Sequence, residues 1–220
     1  VPAYALAAIP ARYALERGRW AEASALAPAP ASFPWAQFPQ AEAIVHFARA
    51  VGAARDGDLA TARQGVARLE ALRDGMAAAK TAYWPEQVEI QRRAAAGLLA
   101  QADGRPADAL ALLRAAAELE ASTEKHPVTP GPILPARELL AETLLDQGRA
   151  REALQEFEAT LQVEPNRFRT LHGATQAAEL AGDRDRARKY AAELIALAHD
   201  ADSDRPELQR ARMLTAGAAR

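Results

Sequence analysis

Apolar residues along this chain recur at intervals of three and four, the spacing of one face of a helix, and never settle into the strict alternation of a strand. Leu140, Leu144 and Leu145 follow this spacing, and Ala153, Leu154, Phe157 and Leu161 repeat it after a break at Gly148. The break recurs. Gly18, Gly57, Gly104, Gly148 and Gly182 each stand five residues before an Ala, at positions 23, 62, 109, 153 and 187, in the stretches GRWAEA, GDLATA, GRPADA, GRAREA and GDRDRA. Gly ends a helix cheaply because it takes the left-handed conformation without a Cβ clash. Asp58 and Asp183, directly after Gly, are placed to cap the next helix. A small Ala five residues on lets that helix pack closely on the one before it. The pattern predicts helices over about 3–16, 20–27, 40–56, 58–79, 85–102, 106–121, 134–147, 150–162, 167–181 and 184–198, which form five antiparallel pairs. A short capping helix at about 205–215 follows, opened by Asp204, Pro206 and Glu207.

The spacing of the turns divides the chain. From Gly148 to Gly182 is 34 residues, whereas the earlier intervals are 39, 47 and 44. The surplus falls in three stretches rich in Pro or polar residues: 27–40, around 74–86, and 122–132. Residues 134–167 resemble a tetratricopeptide repeat, a 34-residue helix hairpin. Leu140, Ala141, Leu144, Gly148, Ala153, Phe157 and Pro165 match its large, small, large, Gly, small, aromatic and Pro positions, while Thr160 replaces a second Ala. Residues 168–201 match through Leu171, Ala174, Ala178, Gly182, Ala187, Ala191 and Leu194, with His199 in place of the final Pro. The resemblance implies an all-α, right-handed α-solenoid of about five helix pairs forming a single domain over 1–220. Its repeats would be irregular over 1–133 and regular over 134–201, with a cap at 202–220. It also implies a protein- or peptide-binding scaffold without catalysis, which uses the concave face lined by the first helix of each pair. The runs AIPARYALERGRWAEA, YWPEQVEIQ and HPVTPGPILPARELL are similar to the C-terminal part of longer bacterial tetratricopeptide proteins whose first half carries His motifs. The alternative function is therefore the structural end of a longer enzyme or metal protein.

Composition supports helices and removes several chemistries. Ala fills 58 of the 220 positions while aromatics make up 5%, which favours close-packed helices over sheets. The formal charge of −2, with only Lys80, Lys125 and Lys189 among 27 basic residues, gives no footprint for nucleic acid. No apolar run is long enough to span a bilayer. With no Cys, thiolate metal sites and disulfides are excluded and the compartment is left open, the cytoplasm being favoured. The opening at Val1 suggests a fragment. On that view the first helix has lost a neighbour, and its apolar face, with Tyr4, Ile9 and Tyr13, would pair with a second copy of the chain.

The candidate chemistry is sparse. Glu42 and His46 share a helix face but are too few to ligate a metal, and no cofactor motif is present. Glu86 with Glu89, and Glu138 with Glu142, are carboxylate pairs that Arg93 and Arg137 can neutralise. The candidate groove residues are Glu138 and Glu142 in one repeat, Arg169, His172 and Gln176 in the next, and Arg93. Together they suggest a mixed-charge surface for a polar or basic peptide. The Lys/Asn clamp that some tetratricopeptide proteins use for acidic chain ends is absent. The Pro-rich stretch 122–135 would form a stiff rim carrying His126, Pro127 and Pro130. The aromatics of the first half, Trp20, Phe33, Trp35, Phe38, Tyr83 and Trp84, are expected as wedges in the core. The alternative is a sticky surface patch, for which Trp35 and Phe38, in a Pro-rich loop, are the first candidates.

Overall fold

The computed structural model describes residues 2–80, 83–123, 131–201 and 205–216. Among them are eleven α-helices and no strand: α1 (Pro2–Glu16), α2 (Trp20–Ser24), α3 (Pro39–Asp56), α4 (Leu59–Ala78), α5 (Trp84–Ala102), α6 (Pro106–Ser122), α7 (Ala136–Asp146), α8 (Ala150–Val163), α9 (Phe168–Leu180), α10 (Arg184–Leu197) and α11 (Pro206–Ala216). The expected helices are all present, most within two residues of their predicted ends. They fall into two compact units, Val1–Leu139 and Leu140–Arg220, with the division inside α7.

The five glycines do what the pattern required. Each has positive φ, between 63° and 85°. At Gly148 the chain reverses through two bonds, Gly148 N–H to the Leu145 carbonyl at 2.9 Å and Arg149 N–H to the Leu144 carbonyl at 2.9 Å. This is the closure of a helix end by a left-handed residue. The second of these bonds recurs at 2.9 Å from Arg19, Asp58, Arg105 and Asp183. All five partner alanines, Ala23, Ala62, Ala109, Ala153 and Ala187, are 0% exposed. Asp58 accepts from Thr61 N–H at 3.0 Å and Asp183 from Arg186 N–H at 3.0 Å, so both cap their helices.

In unit 1, α4 packs against both α3 and α5, and α3 and α5 also meet each other. Close approach is achieved through missing side chains. A methyl on Gly52 would strike Ala23 and the backbone of α2, and one on Gly65 would strike Ala50. In unit 2, α8 packs on α9, α9 on α10, and α10 on α11. Phe157, fully buried, sets the tip of its ring against Gly173, where a methyl would overlap it. The aromatic of the repeat signature and this glycine therefore fill one space.

Two readings of the first insertion are corrected. Helix α2 ends at Ser24, not near residue 27, because the chain runs straight into Pro28 and Pro30. Trp35 is not exposed. It starts a single 3-10 turn, Trp35–Gln37, lies edge-on to Phe33 with ring centres 5.0 Å apart, and donates from Nε1 to the Pro30 carbonyl at 3.1 Å. Phe38 also packs against Phe33, with ring centres 5.3 Å apart. The loop has its own small core, which buries Trp35 to 8% exposure.

The third insertion is anchored where it is described. Ile133 and Leu134 are buried, Ala136 N–H donates to Glu120 at 3.0 Å, and the Arg12 guanidinium of α1 donates to the carbonyls of Gly131 and Pro132 at 3.2 and 3.4 Å. His126, Pro127 and Pro130, the expected rim, lie outside the described residues.

Candidate functional site: charged clusters on the first helices

The first helices of the pairs carry most of the ionised groups that are withdrawn from solvent, and the two units use them differently. In unit 1, Glu42 of α3 is buried and accepts from His46 Nε2 at 3.2 Å and from Arg68 of α4, through Nε at 3.0 Å and Nη2 at 2.7 Å. Burial lowers the His46 pKa below its usual value. Glu42 pulls it up, whereas the Arg68 and Arg49 cations push it further down. Glu42 is thus the ion-pair anchor for α4 through Arg68, and His46 is hydrogen-bonded beside it. Among the described residues no three His, Asp or Glu side chains gather as metal ligands would.

Glu89 of α5 stands at the same register: it lies fifteen residues before Gly104, as Glu42 lies fifteen before Gly57. Three guanidiniums converge on it. Arg73 of α4 donates from Nη1 at 2.5 Å, Arg92 from Nε and Nη2 at 2.7 and 2.9 Å, and Arg93 from Nε at 2.6 Å. Its side chain is 14% exposed. Burial works against ionisation, but the hydrogen bonds from Arg92, Arg73 and Arg93 outweigh it and hold the Glu89 pKa down at about 2. Arg73 also bonds the exposed Asp74 and, at 3.4 Å, Glu70. The predicted partnership of Arg93 with this carboxylate is present. The cluster as a whole is not legible in the sequence, because Arg73 comes from another helix.

The candidate residues of the regular repeats are placed as follows. Glu138 is 0% exposed, so it does not line a surface. Glu142 accepts a charge-assisted hydrogen bond from Arg169 of α9. Its carboxylate and that guanidinium are engaged with each other and not held open for a basic peptide. His172, one turn beyond Arg169 on α9, is half-buried. Burial lowers its pKa, Glu207 of α11 opposes this, and Arg210, Arg169 and Arg205 reinforce it. Arg205 lies 3.9 Å over the ring of Phe168 and bonds Glu207 at 2.8 Å, and Arg210 bonds Glu179 of α9 at 3.0 Å. Helix α11 is therefore fastened to α9 by charges, and the residues around His172 belong to that joint. Gln176 is half-buried one turn further on.

Helix α1 presents Ile9, 68% exposed, with Tyr13 and Leu6, and Arg17 and Arg19 lie over the Tyr13 ring. Tyr4 is half-buried. No helix among the described residues is long and apolar enough to cross a membrane.

Comparison with known proteins gives the architecture a name. Two crystal structures of a Podosopora anserina protein assigned as a kinesin light chain, built of nearly identical TPR-like repeats, superpose on this chain with a TM-score of 0.56. One is a form with a single substitution, 18% identical over 82% of this chain and 85% of that one. The other is 19% identical over 82% of this chain and 86% of that one. The chain has the TPR-like helical-repeat fold. No protein-family profile and no curated protein matches the sequence. The TPR-like fold accounts for the Gly–Ala hairpins and for the adjacency of α3 with α5, the first helices of successive pairs.

Proposed function

We propose that this TPR-like chain is an interaction scaffold that holds a segment of a partner protein along the first helices of one of its units and performs no chemistry on it. The observation that carries this is the placement of polar side chains. In a protein packed by Ala and Leu, α3, α5 and α9 carry Glu42, His46, Arg49, Glu89, Arg92, Arg93, Arg169, His172 and Gln176, all buried or half-buried and none needed to fill volume. The electrostatics favour binding over proton transfer. A general acid or base works best with a pKa near the working pH. Glu89 is held ionised far below neutrality, and burial favours the unprotonated form of both His46 and His172.

Selection from a random peptide library displayed on phage tests the proposal. Selected peptides should bind the purified chain and perturb backbone amide signals of α3, α5 or α9. Failure to select any peptide, or perturbations confined to the second helices α4, α6, α8 and α10, would overturn it.

A further inference from the structure

His172 sits within the joint that holds α11 to α9. It lies one turn after Phe168 and two turns before Glu179, so the three share a face of α9. Both of these neighbours are fastening points. Phe168 takes the Arg205 guanidinium over its ring at 3.9 Å, and Glu179 accepts from Arg210 Nη2 at 3.0 Å. Leu208, between the two arginines on α11, is buried, as is Ala211. The half-buried imidazole thus lies between two contacts that α11 makes with α9.

The charges of the joint are balanced without it. Among the described residues, Glu207 bonds Arg205 at 2.8 Å, Glu179 bonds Arg210, and Glu142 of α7 bonds Arg169. The other helices packed on α9 are α8 and α10, whose buried residues are apolar apart from Thr160 and Tyr190. The Tyr190 hydroxyl donates to Glu158 of α8 at 2.7 Å. A proton on His172 would therefore add a fourth cation to three acids that already bond guanidiniums. Burial resists that proton most, Glu207 attracts it, and Arg210, Arg169 and Arg205 repel it, so the imidazole titrates below its usual value. Burial also works against ionisation of Glu207, but the Arg205 hydrogen bond outweighs it, so this carboxylate stays charged where His172 titrates.

We propose that α11 is an acid-released latch: a proton on His172 leaves one uncompensated cation in the α9–α11 joint and frees α11, uncovering Leu208, Ala211 and the side of α10 on which they pack. The latch goes beyond the scaffold reading and does not depend on it. A half-buried charge without a counter-charge is costly, and detachment of α11 returns the imidazolium to water. Protonation and docking therefore oppose each other. Because the docked form binds the proton less readily, docking is complete above the ordinary imidazole value of 6.5 and weakens as pH falls below it. His199, exposed and bonded to the exposed Asp200 at 2.8 Å, takes no part in the joint.

The test is amide hydrogen exchange of the full chain, followed by mass spectrometry at about pH 7.5 and about pH 5.5 and corrected for the intrinsic rate at each. Protection of α11 should fall about tenfold at the lower pH, the ratio that one unit of pKa difference represents, while α8 keeps its protection. His172→Gln should hold α11 protected at both pH values. His172→Arg carries the charge permanently and should leave α11 unprotected at both. Glu179→Gln, which weakens the Arg210 contact without touching the imidazole, should lower protection at both pH values and keep the change between them. Four results overturn the latch: α11 protection that does not change with pH, a fall that survives in His172→Gln, a fall shared equally by α8, or an α11 already unprotected in His172→Gln at the higher pH.

Discussion

Unit 1 and unit 2 are built from the same hairpin, yet they distribute charge differently. In unit 2 the polar groups of α9 pair off locally: Arg169 with Glu142, Glu179 with Arg210, and Phe168 beneath Arg205. In unit 1 two carboxylates at equivalent register, Glu42 and Glu89, anchor α4 from either side. Regular repeats close on their neighbours, and α11 supplies the neighbour that α9 and α10 would otherwise lack. The irregular repeats, with their longer helices, gather several guanidiniums on one carboxylate, as at Glu89.

This contrast can be broken most severely at its apolar end. Phe157→Ala removes the ring that fills the space beside Gly173, and a fully buried Phe truncated to Ala costs roughly 3–5 kcal/mol. Urea unfolding followed by circular dichroism should show a loss of this size. A loss below about 1 kcal/mol would mean that α8 and α9 are not held by this contact.

The charged end of the comparison is tested at Glu89. Glu89→Gln leaves Arg73, Arg92 and Arg93 around a neutral amide, a loss on the order of 1–3 kcal/mol at neutral pH. The pH dependence has a definite sign. The folded-state pKa of about 2 lies below the ordinary 4.5, so the folded protein binds this proton less readily than the unfolded chain. The stabilisation is complete above about pH 4.5 and disappears as pH falls toward 2. Urea midpoints of parent and variant should therefore converge between about pH 5 and about pH 2. A gap that stays constant with pH would show that the carboxylate charge is not what holds α4 to α5.

The legibility of the fold has the same division. The five Gly–Ala pairs and the helical spacing are local signals, readable because a left-handed turn needs Gly and a close helix contact needs Ala. The burial of Trp35 is not readable, because it depends on Phe33, Phe38 and Pro30 folding back on one another within a loop that has no period. Ion-pair partners are readable within a helix, as for Arg93 and Glu89, and hidden between helices. Arg68 reaches Glu42 across 26 residues and Arg73 reaches Glu89 across 16, and nothing in the spacing distinguishes these arginines from the solvated ones. Glu138 shows the converse. A carboxylate at a position that usually faces a groove is here enclosed.

The smallest expected effects sharpen the symmetry between the units. Asp58→Ala and Asp183→Ala each remove a single side-chain cap, on α4 and α10 respectively, and each should lower the melting temperature slightly. Asp183 also holds Arg186 at 2.6 Å, so its loss should be slightly the larger. Thermal unfolding of the two variants in parallel would check this. Equal and negligible shifts would mean that the glycine turns alone define the helix starts.

The Arg12 bonds to Gly131 and Pro132 have a consequence for the order of folding. Helical repeats fold largely through contacts between neighbours, and such arrays can zip and fray one hairpin at a time. These bonds join positions 119 and 120 residues apart. They can form only after α1 and the chain beyond α6 have both reached their places. Once formed, they oppose the detachment of α1 from the end of its unit, the step by which an open array begins to unravel. Amide exchange in α1 should therefore slow to the rate of the hairpins behind it, and Arg12→Ala should return it to the faster rate of a terminal helix.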